Sequence, residues 1–221
     1  MKKYAVIVAG GSGTRMQSAI PKQFLLLHQR PILYYTIQRF MEAFADINII
    51  VVLPQVHQHV GEAIAAEYFP HTTIHFTIGG ETRFHSVQNG LALVDAASIV
   101  FVHDAVRCLL STALIQRCYE AARTTGSAIP VLASSDSVRM KTENGSKVVD
   151  RNTILMVQTP QVFESHLLLS AFEQPYHAGF TDEASVVESC GHAITLVEGE
   201  TQNIKITHPI DLLIAEKYLS E

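Results

Sequence analysis

Four short runs of β-branched and aliphatic residues, at 4–9, 47–53, 74–78 and 99–103, punctuate the first half of the chain. All but the 74–78 run are apolar at almost every position rather than at every second one. That pattern predicts strands covered on both faces, the condition of a parallel sheet. Between the runs, Ile32, Leu33, Ile37 and Phe40, then Val60, Ile64 and Tyr68, then Val87, Leu91 and Leu93 keep helical spacing. Strand and helix therefore alternate, and the expected fold class is α/β: a Rossmann-like, mostly parallel sheet with helices on both faces.

The second half continues with a helix over 111–124 and a strand over 128–131, after which the pattern changes. From 134 to about 158, turn-forming residues such as Asn144-Gly145 separate two short β-prone stretches, which predicts a hairpin. We expect a β-arm at 134–158 that projects from a single domain spanning 1–221 and buries its apolar side against a second subunit. Helices near 164–172 and 182–189, a strand at 194–197 and a final helix at 209–219, with Pro209 in its first turn, complete the reading.

Composition narrows the function classes. A chain of 221 residues with 48% hydrophobic and 17% charged residues is an ordinary globular protein, long enough to bury a large core. Its net charge of −5 argues against a nucleic-acid-coating protein, so basic residues near glycine-rich loops are better explained as local anion receptors. Cys108, Cys118 and Cys190 are odd in number and lack CxxC spacing, which disfavours a disulfide framework or a structural zinc and suits a cytoplasmic setting. The apolar run after Lys2 and Lys3 is interrupted by glycines and Arg15 before it could serve as a signal peptide, so neither export nor a membrane span is expected.

Candidate chemistry lies in the loops that follow strands, where open α/β sheets bind ligands. Ala9-Gly10-Gly11-Ser12-Gly13-Thr14-Arg15 follows the first strand, with Pro21-Lys22-Gln23 a few residues later. Glycines let backbone N–H groups approach a polyanion, and Arg15 and Lys22 supply cationic donors. The spacing matches neither the GxxxxGK[ST] loop nor GxGxxG, which disfavours P-loop ATPases and dinucleotide dehydrogenases. A second loop, Gly79-Gly80-Glu81-Thr82-Arg83-Phe84-His85-Ser86, offers a helix N-terminus and the Ser86 hydroxyl to a base or ribose. A third, His103-Asp104-Ala105-Val106-Arg107, sets a carboxylate and a guanidinium three positions apart at a strand end, suited either to ligand binding or to a local ion pair. The fourth combines Asp150-Arg151-Asn152 with Gln158-Thr159-Pro160, and the fifth places Lys205 after a strand with Ile204 and Ile206 on either side. His57 and His59 point about 200° apart on a helix and make a poor metal pair. Thr181-Asp182-Glu183-Ala184 is taken as a capped helix start, and Cys108 as a passive thiol.

The ordered set GGSGTRM, PKQ, GGETRFHSV, HDAVR, VDRN, TPQ, TDEAS, VEG and NIKIT resembles the 2-C-methyl-D-erythritol 4-phosphate cytidylyltransferases, a family of pyrophosphorylase-type nucleotidyltransferases of isoprenoid synthesis. The resemblance implies that CTP lies along Ala9, Gly10, Gly11, Ser12, Gly13 and Thr14, with Gly80, Glu81, Ser86 and Asp104 near the base, ribose or phosphates. It implies Arg15, Lys22 and Lys205 as catalytic cations. Asp104, Arg107 and Thr159 would hold the alcohol phosphate, joined by Ser137 and Arg151 from the arm of the other subunit of a homodimer. Mg²⁺ would be bound mainly by the phosphates, with Asp104 as its protein contact.

A phosphate monoester is already an anionic nucleophile, so attack on the α-phosphorus of CTP needs charge neutralisation more than a general base. The rival readings are ribitol 5-phosphate cytidylyltransferase, which usually differs at the VDRN and TDEAS segments, and a non-catalytic nucleotide-binding protein of the same fold. Retention of Arg15, Lys22 and Lys205 disfavours the latter.

Overall fold

The computed structural model of the chain describes residues 1–11, 16, 18, 20–95 and 97–220. The first half runs β1 (Lys2–Val8), the short strands β2 (Leu26–Leu27) and β3 (Arg30–Pro31), α1 (Ile32–Ala43), β4 (Ile47–Leu53), α2 (Gln58–Tyr68), β5 (Ile74–Ile78), α3 (Arg83–Leu91) and β6 (Ser98–Asp104). The second runs α4 (Thr112–Thr125), β7 (Ser127–Ala133), β8 (Val138–Thr142), β9 (Gly145–Val149), β10 (Leu155–Val157), β11 (Gln161–Glu164), α5 (Ser165–Ala171), α6 (Glu183–Ser189), β12 (Leu196–Glu198) and α7 (Pro209–Leu219).

The main sheet has the order β10-β7-β11-β6-β1-β4-β5, with β12 added on β7. β1 is parallel to both neighbours, with Ala5 opposite Ile49 and Phe101, and β5 extends the parallel block beyond β4. Helices cover both faces, as the apolar runs predict. On one, Ile7, Val51 and Phe101 pack with Phe40 of α1 and Leu114 and Cys118 of α4. On the other, Val6, Val52 and Val102 pack with Val87 and Leu91 of α3, Leu168 of α5 and Val187 of α6. A smaller cluster of Leu27, Ile32, Leu109, Ile206 and Ala215 ties α7 to the body.

Several details depart from the sequence reading. β5 closes one edge of the sheet, so His75 and Ile78 are exposed, unlike the residues of a covered strand. Leu93 lies beyond the end of α3 and is exposed. β11, absent from the sequence reading, runs antiparallel between β6 and β7, so the sheet is mixed. Asn144 and Gly145 do mark a hairpin: β8 and β9 pair with each other, with Thr142 opposite Gly145, and form a separate two-stranded sheet. β10 returns to the main sheet, antiparallel to β7.

Candidate functional site

The carboxyl ends of β1, β5 and β6 converge on a cleft of about 250 Å³, lined by Gly10, Gly11, Lys22, Glu81, Ser86 and Lys205 among others. Local chemistry shapes each wall. After β1, the Ala9 N–H donates to Val52 O, and the Gln23 side-chain amide donates to Ala9 O at 2.7 Å, so buried Gln23 fixes the start of the glycine loop. After β5, the Gly80 N–H donates to Ser86 Oγ, whose own hydroxyl donates to Thr82 O at 2.9 Å. A Cβ on Gly80 would stand 2.4 Å from His85 Cβ, so only glycine permits this close turn. Thr82 caps α3 and accepts from the His85 N–H.

Asp104, the last residue of β6, is 8% exposed and forms the electrostatic centre of the cleft. Its Oδ2 lies 2.8 Å from Lys205 Nζ, and its Oδ1 lies 3.3 Å from Arg83 Nη2. Arg107 Nε is farther away, 3.8 Å from Oδ2, and the Arg107 Nη1–H donates to Asn203 O. Burial alone would raise the Asp104 pKa, but the Arg83 and Lys205 charges outweigh it and hold the carboxyl well below the usual range. Arg83 also bonds through Nη1 to Glu183 Oε1. Desolvation disfavours the Arg83 charge, yet Glu183 and Asp104 more than offset it, and the guanidinium pKa rises. The local ion pair considered from sequence therefore exists, but it is the longest of three contacts to Asp104.

The chain as a whole is similar to known proteins. The family model for IspD, 2-C-methyl-D-erythritol 4-phosphate cytidylyltransferase, matches residues 4–221. The chain belongs to the 2-C-methyl-D-erythritol 4-phosphate cytidylyltransferase family. A relative of that name from Phocaeicola vulgatus is 47% identical, with 98% of this chain and 99% of that protein covered. One from Bacteroides thetaiotaomicron is 45% identical, with 99% and 100% covered. Among solved structures, the 4-diphosphocytidyl-2C-methyl-D-erythritol synthase of Anaerococcus prevotii superposes with a TM-score of 0.84 at 27% identity, covering 100% of this chain and 96% of that one. The Francisella tularensis enzyme gives 0.82 at 32% identity, covering 99% and 100%.

Within this cytidylyltransferase family frame, the positions singled out from sequence fall into four groups. Ala9, Gly10, Gly11, Lys22, Gly80, Glu81, Ser86, Asp104 and Lys205 all line the cleft. Arg107 and Thr159 stand behind Asp104: the Thr159 hydroxyl accepts from the Asp104 N–H at 3.1 Å and is 3.0 Å from His103 Nδ1. Ser137 and Arg151 are exposed on the segment that carries β8 and β9 and do not line the cleft of their own chain. Ser12, Gly13, Thr14 and Arg15 lie outside the described residues. Lys205 differs from expectation in its setting, since 203–207 is an irregular segment rather than the end of a strand. Ile206 is nevertheless buried, its N–H donating to Val106 O, and this anchor turns Lys205 toward Asp104. Lys22 is buried beside this segment and donates to Ile206 O at 3.2 Å.

Sequence reasoning missed Arg83, which lines the cleft, and assigned Glu183 only to a helix start. Asp182 does cap α6 in a capping box with Ser185. The thiols of Cys108 and Cys118 are pushed up to about 12 by burial, which agrees with the reading of Cys108 as passive.

His103 links this site to pH. Burial lowers its pKa from 6.5 to about 3, and the ring must be neutral: Nε2–H donates to Arg107 O, leaving Nδ1 to accept from Thr159. The folded state refuses a proton that the unfolded state takes up near pH 6.5. The corresponding stability is complete above that pH and is lost progressively as pH falls toward 3. The His103 ring should show no titration between pH 7 and pH 5 by NMR in the folded protein, and unfolding at pH 5 should take up a proton at this site. An imidazole resonance that moves with a midpoint near 6.5 would refute the buried neutral ring.

Proposed function

We propose that the protein condenses CTP with 2-C-methyl-D-erythritol 4-phosphate, releasing pyrophosphate and 4-diphosphocytidyl-2-C-methyl-D-erythritol in non-mevalonate isoprenoid synthesis. The observation that carries this reading is the convergence of Lys22, Arg83 and Lys205 on a cleft that is also lined by the Gly10-Gly11 backbone. Three cations around exposed peptide N–H groups suit a polyphosphate. Full-length membership of the family supplies the identity of the nucleotide and of the alcohol.

In this reading the triphosphate lies along residues 10–14, with Arg15 and Lys22 on its oxygens. Cytosine and ribose occupy the wall formed by Ala9, Gly80, Glu81 and Ser86. The cations draw two polyanions together and stabilise charge that builds on the α-phosphoryl oxygens and the departing pyrophosphate. The phosphate monoester is itself an anionic nucleophile and needs no base in this reading. The alcohol phosphate is placed beside Asp104, Arg107 and Lys205, and Thr159 acts by holding the Asp104 backbone.

A divalent metal, Mg²⁺ in this reading, would be held mainly by the triphosphate. No three His, Cys, Asp or Glu side chains converge among the described residues, and both oxygens of Asp104 already face cations. Asp104, its protein contact in this reading, would have to exchange Arg83 or Lys205 for the ion, and the bound ion would neutralise phosphate charge.

The working unit is a homodimer in which Ser137 and Arg151 of the partner subunit reach the alcohol phosphate. Exposed apolar residues on the two faces of this hairpin, Met140 on one and Val148 on the other, support its burial against another chain. Three unpaired thiols favour a cytoplasmic location. No helix among the described residues is long and apolar enough to cross a membrane.

The direct test is pyrophosphate release from CTP, UTP, ATP or GTP, each offered with methylerythritol phosphate or ribitol 5-phosphate. Only CTP with methylerythritol phosphate should be fast. Faster turnover with ribitol 5-phosphate would transfer the assignment to the rival cytidylyltransferase, and no turnover with any pair would favour a binding protein.

A further inference from the structure

Glu183 is 1% exposed at the start of α6, and it does not line the cleft. One of its oxygens receives the Arg83 guanidinium, whereas Oε2 is buried without a hydrogen bond among the described residues. Burial raises the pKa of this carboxyl against the pull of Arg83. A half-satisfied buried carboxylate is a poor way to gain stability, because desolvation of the charge and the unmade bond both oppose folding. Its position in a chain of contacts offers another explanation. Glu183 holds Arg83 Nη1, Arg83 Nη2 reaches Asp104 Oδ1 at 3.3 Å, and Asp104 Oδ2 holds Lys205 Nζ at 2.8 Å. The two oxygens of Asp104 are thus gripped from opposite sides, which fixes the plane of the carboxylate.

We infer that Glu183 is a positioning residue for the transfer reaction: through Arg83 it locks the Asp104 carboxylate so that Lys205 is presented to the phosphates. The charges make the arrangement directional. Glu183 and Asp104 together balance Arg83 and one further cation, while Arg107 is tied back to Asn203 O. With the other four charges balanced, the 42% exposed side chain of Lys205 carries the one unbalanced positive charge of the group and faces the cleft. Without the Glu183 charge, Arg83 is free to shift onto Asp104 or into the cleft, and the carboxylate can rotate away from Lys205.

The inference rests on the catalytic role proposed for Lys205, and a double-mutant cycle separates the two. kcat and KM for both substrates would be measured for the full chain carrying Glu183→Gln, Lys205→Met, both changes, or neither. Lys205→Met should lower kcat by ~10²- to 10³-fold as the loss of a transition-state donor. Glu183→Gln should lower kcat about 10- to 100-fold with little change in the KM for CTP. In the Lys205→Met background, the same change should cost less than about 3-fold, because residues acting through one another are not additive. Arg83→Lys, made at the part-exposed middle of the chain of contacts, should repeat the pattern and serves if Glu183→Gln folds poorly. Equal penalties in both backgrounds, or a parent-like Glu183→Gln, would overturn the inference alone. A parent-like Lys205→Met would overturn the role of Lys205 and the inference with it.

Discussion

Replacing Lys22 with Ala is expected to lower kcat by ~10²- to 10³-fold, the usual cost of one missing transition-state donor, and Arg15→Ala should do the same. For Lys22 the argument is structural. The side chain is 8% exposed, its Cε lies where a Cβ on Gly11 would touch it at 3.8 Å, and its ammonium donates to Ile206 O. Packing thus holds the charge at the junction of the glycine loop and the segment that carries Lys205. No water shell has to be reorganised as charge develops on the phosphates, which makes a fixed ammonium more effective than a mobile one. The contrast is Arg151→Ala, which should raise the KM for the alcohol phosphate and leave kcat nearly unchanged, because in the proposed homodimer it removes a binding contact supplied by the other subunit. Steady-state kinetics on folded variants decides both. Near-parent turnover of Lys22→Ala would remove Lys22 from the mechanism, and an unaltered KM in Arg151→Ala would remove the arm.

The parts of this site legible in the sequence are those whose cause is local. Gly80 must be glycine because His85, five residues on, occupies the space of its side chain, and Thr82 caps the helix it precedes. Apolar runs covered on both faces gave β1, β4 and β6, and the buried stripe of Ile32, Leu33, Ile37 and Phe40 gave α1. What stayed hidden depends on distant partners. Arg83 and Glu183 are 100 residues apart, and nothing near either one indicates that they meet. β11 is only Gln161–Glu164, a four-residue strand whose first side chain donates to Asp182 and accepts from the Ala184 N–H, so it carries little apolar signal of its own. Lys205 was found for a reason only partly correct: its buried neighbour Ile206 orients it, but in an irregular segment tied to Val106 rather than on a strand.

Gly90→Val is expected to damage stability and catalysis together. Gly90 is on the face of α3 that lies against the sheet, and a Cβ there would stand 2.6 Å from Val6 Cγ1 and 3.0 Å from Val52 Cγ2. Val6 and Val52 are fully buried in the centre of β1 and β4, so neither methyl group can swing into free space. Relief must come from lifting the helix, and overpacking of this kind costs about 1–3 kcal/mol. α3 also delivers Thr82, Arg83 and Ser86 to the cleft from its first turn. A displacement near 1 Å at that end would cost roughly 10²-fold in kcat/KM, since reacting groups tolerate little misplacement. The loss should appear partly as a higher KM for CTP, because Ser86 organises the wall assigned to cytosine and ribose. Adding Val6→Ala removes the closest methyl and should recover part of the activity and of the Tm in the double variant. Thermal unfolding and CTP-dependent pyrophosphate release on the three proteins test this. A Gly90→Val enzyme with parent-like Tm and kcat/KM would show that α3 can move off the sheet without disturbing the site, and the geometric coupling of helix to cleft would be wrong.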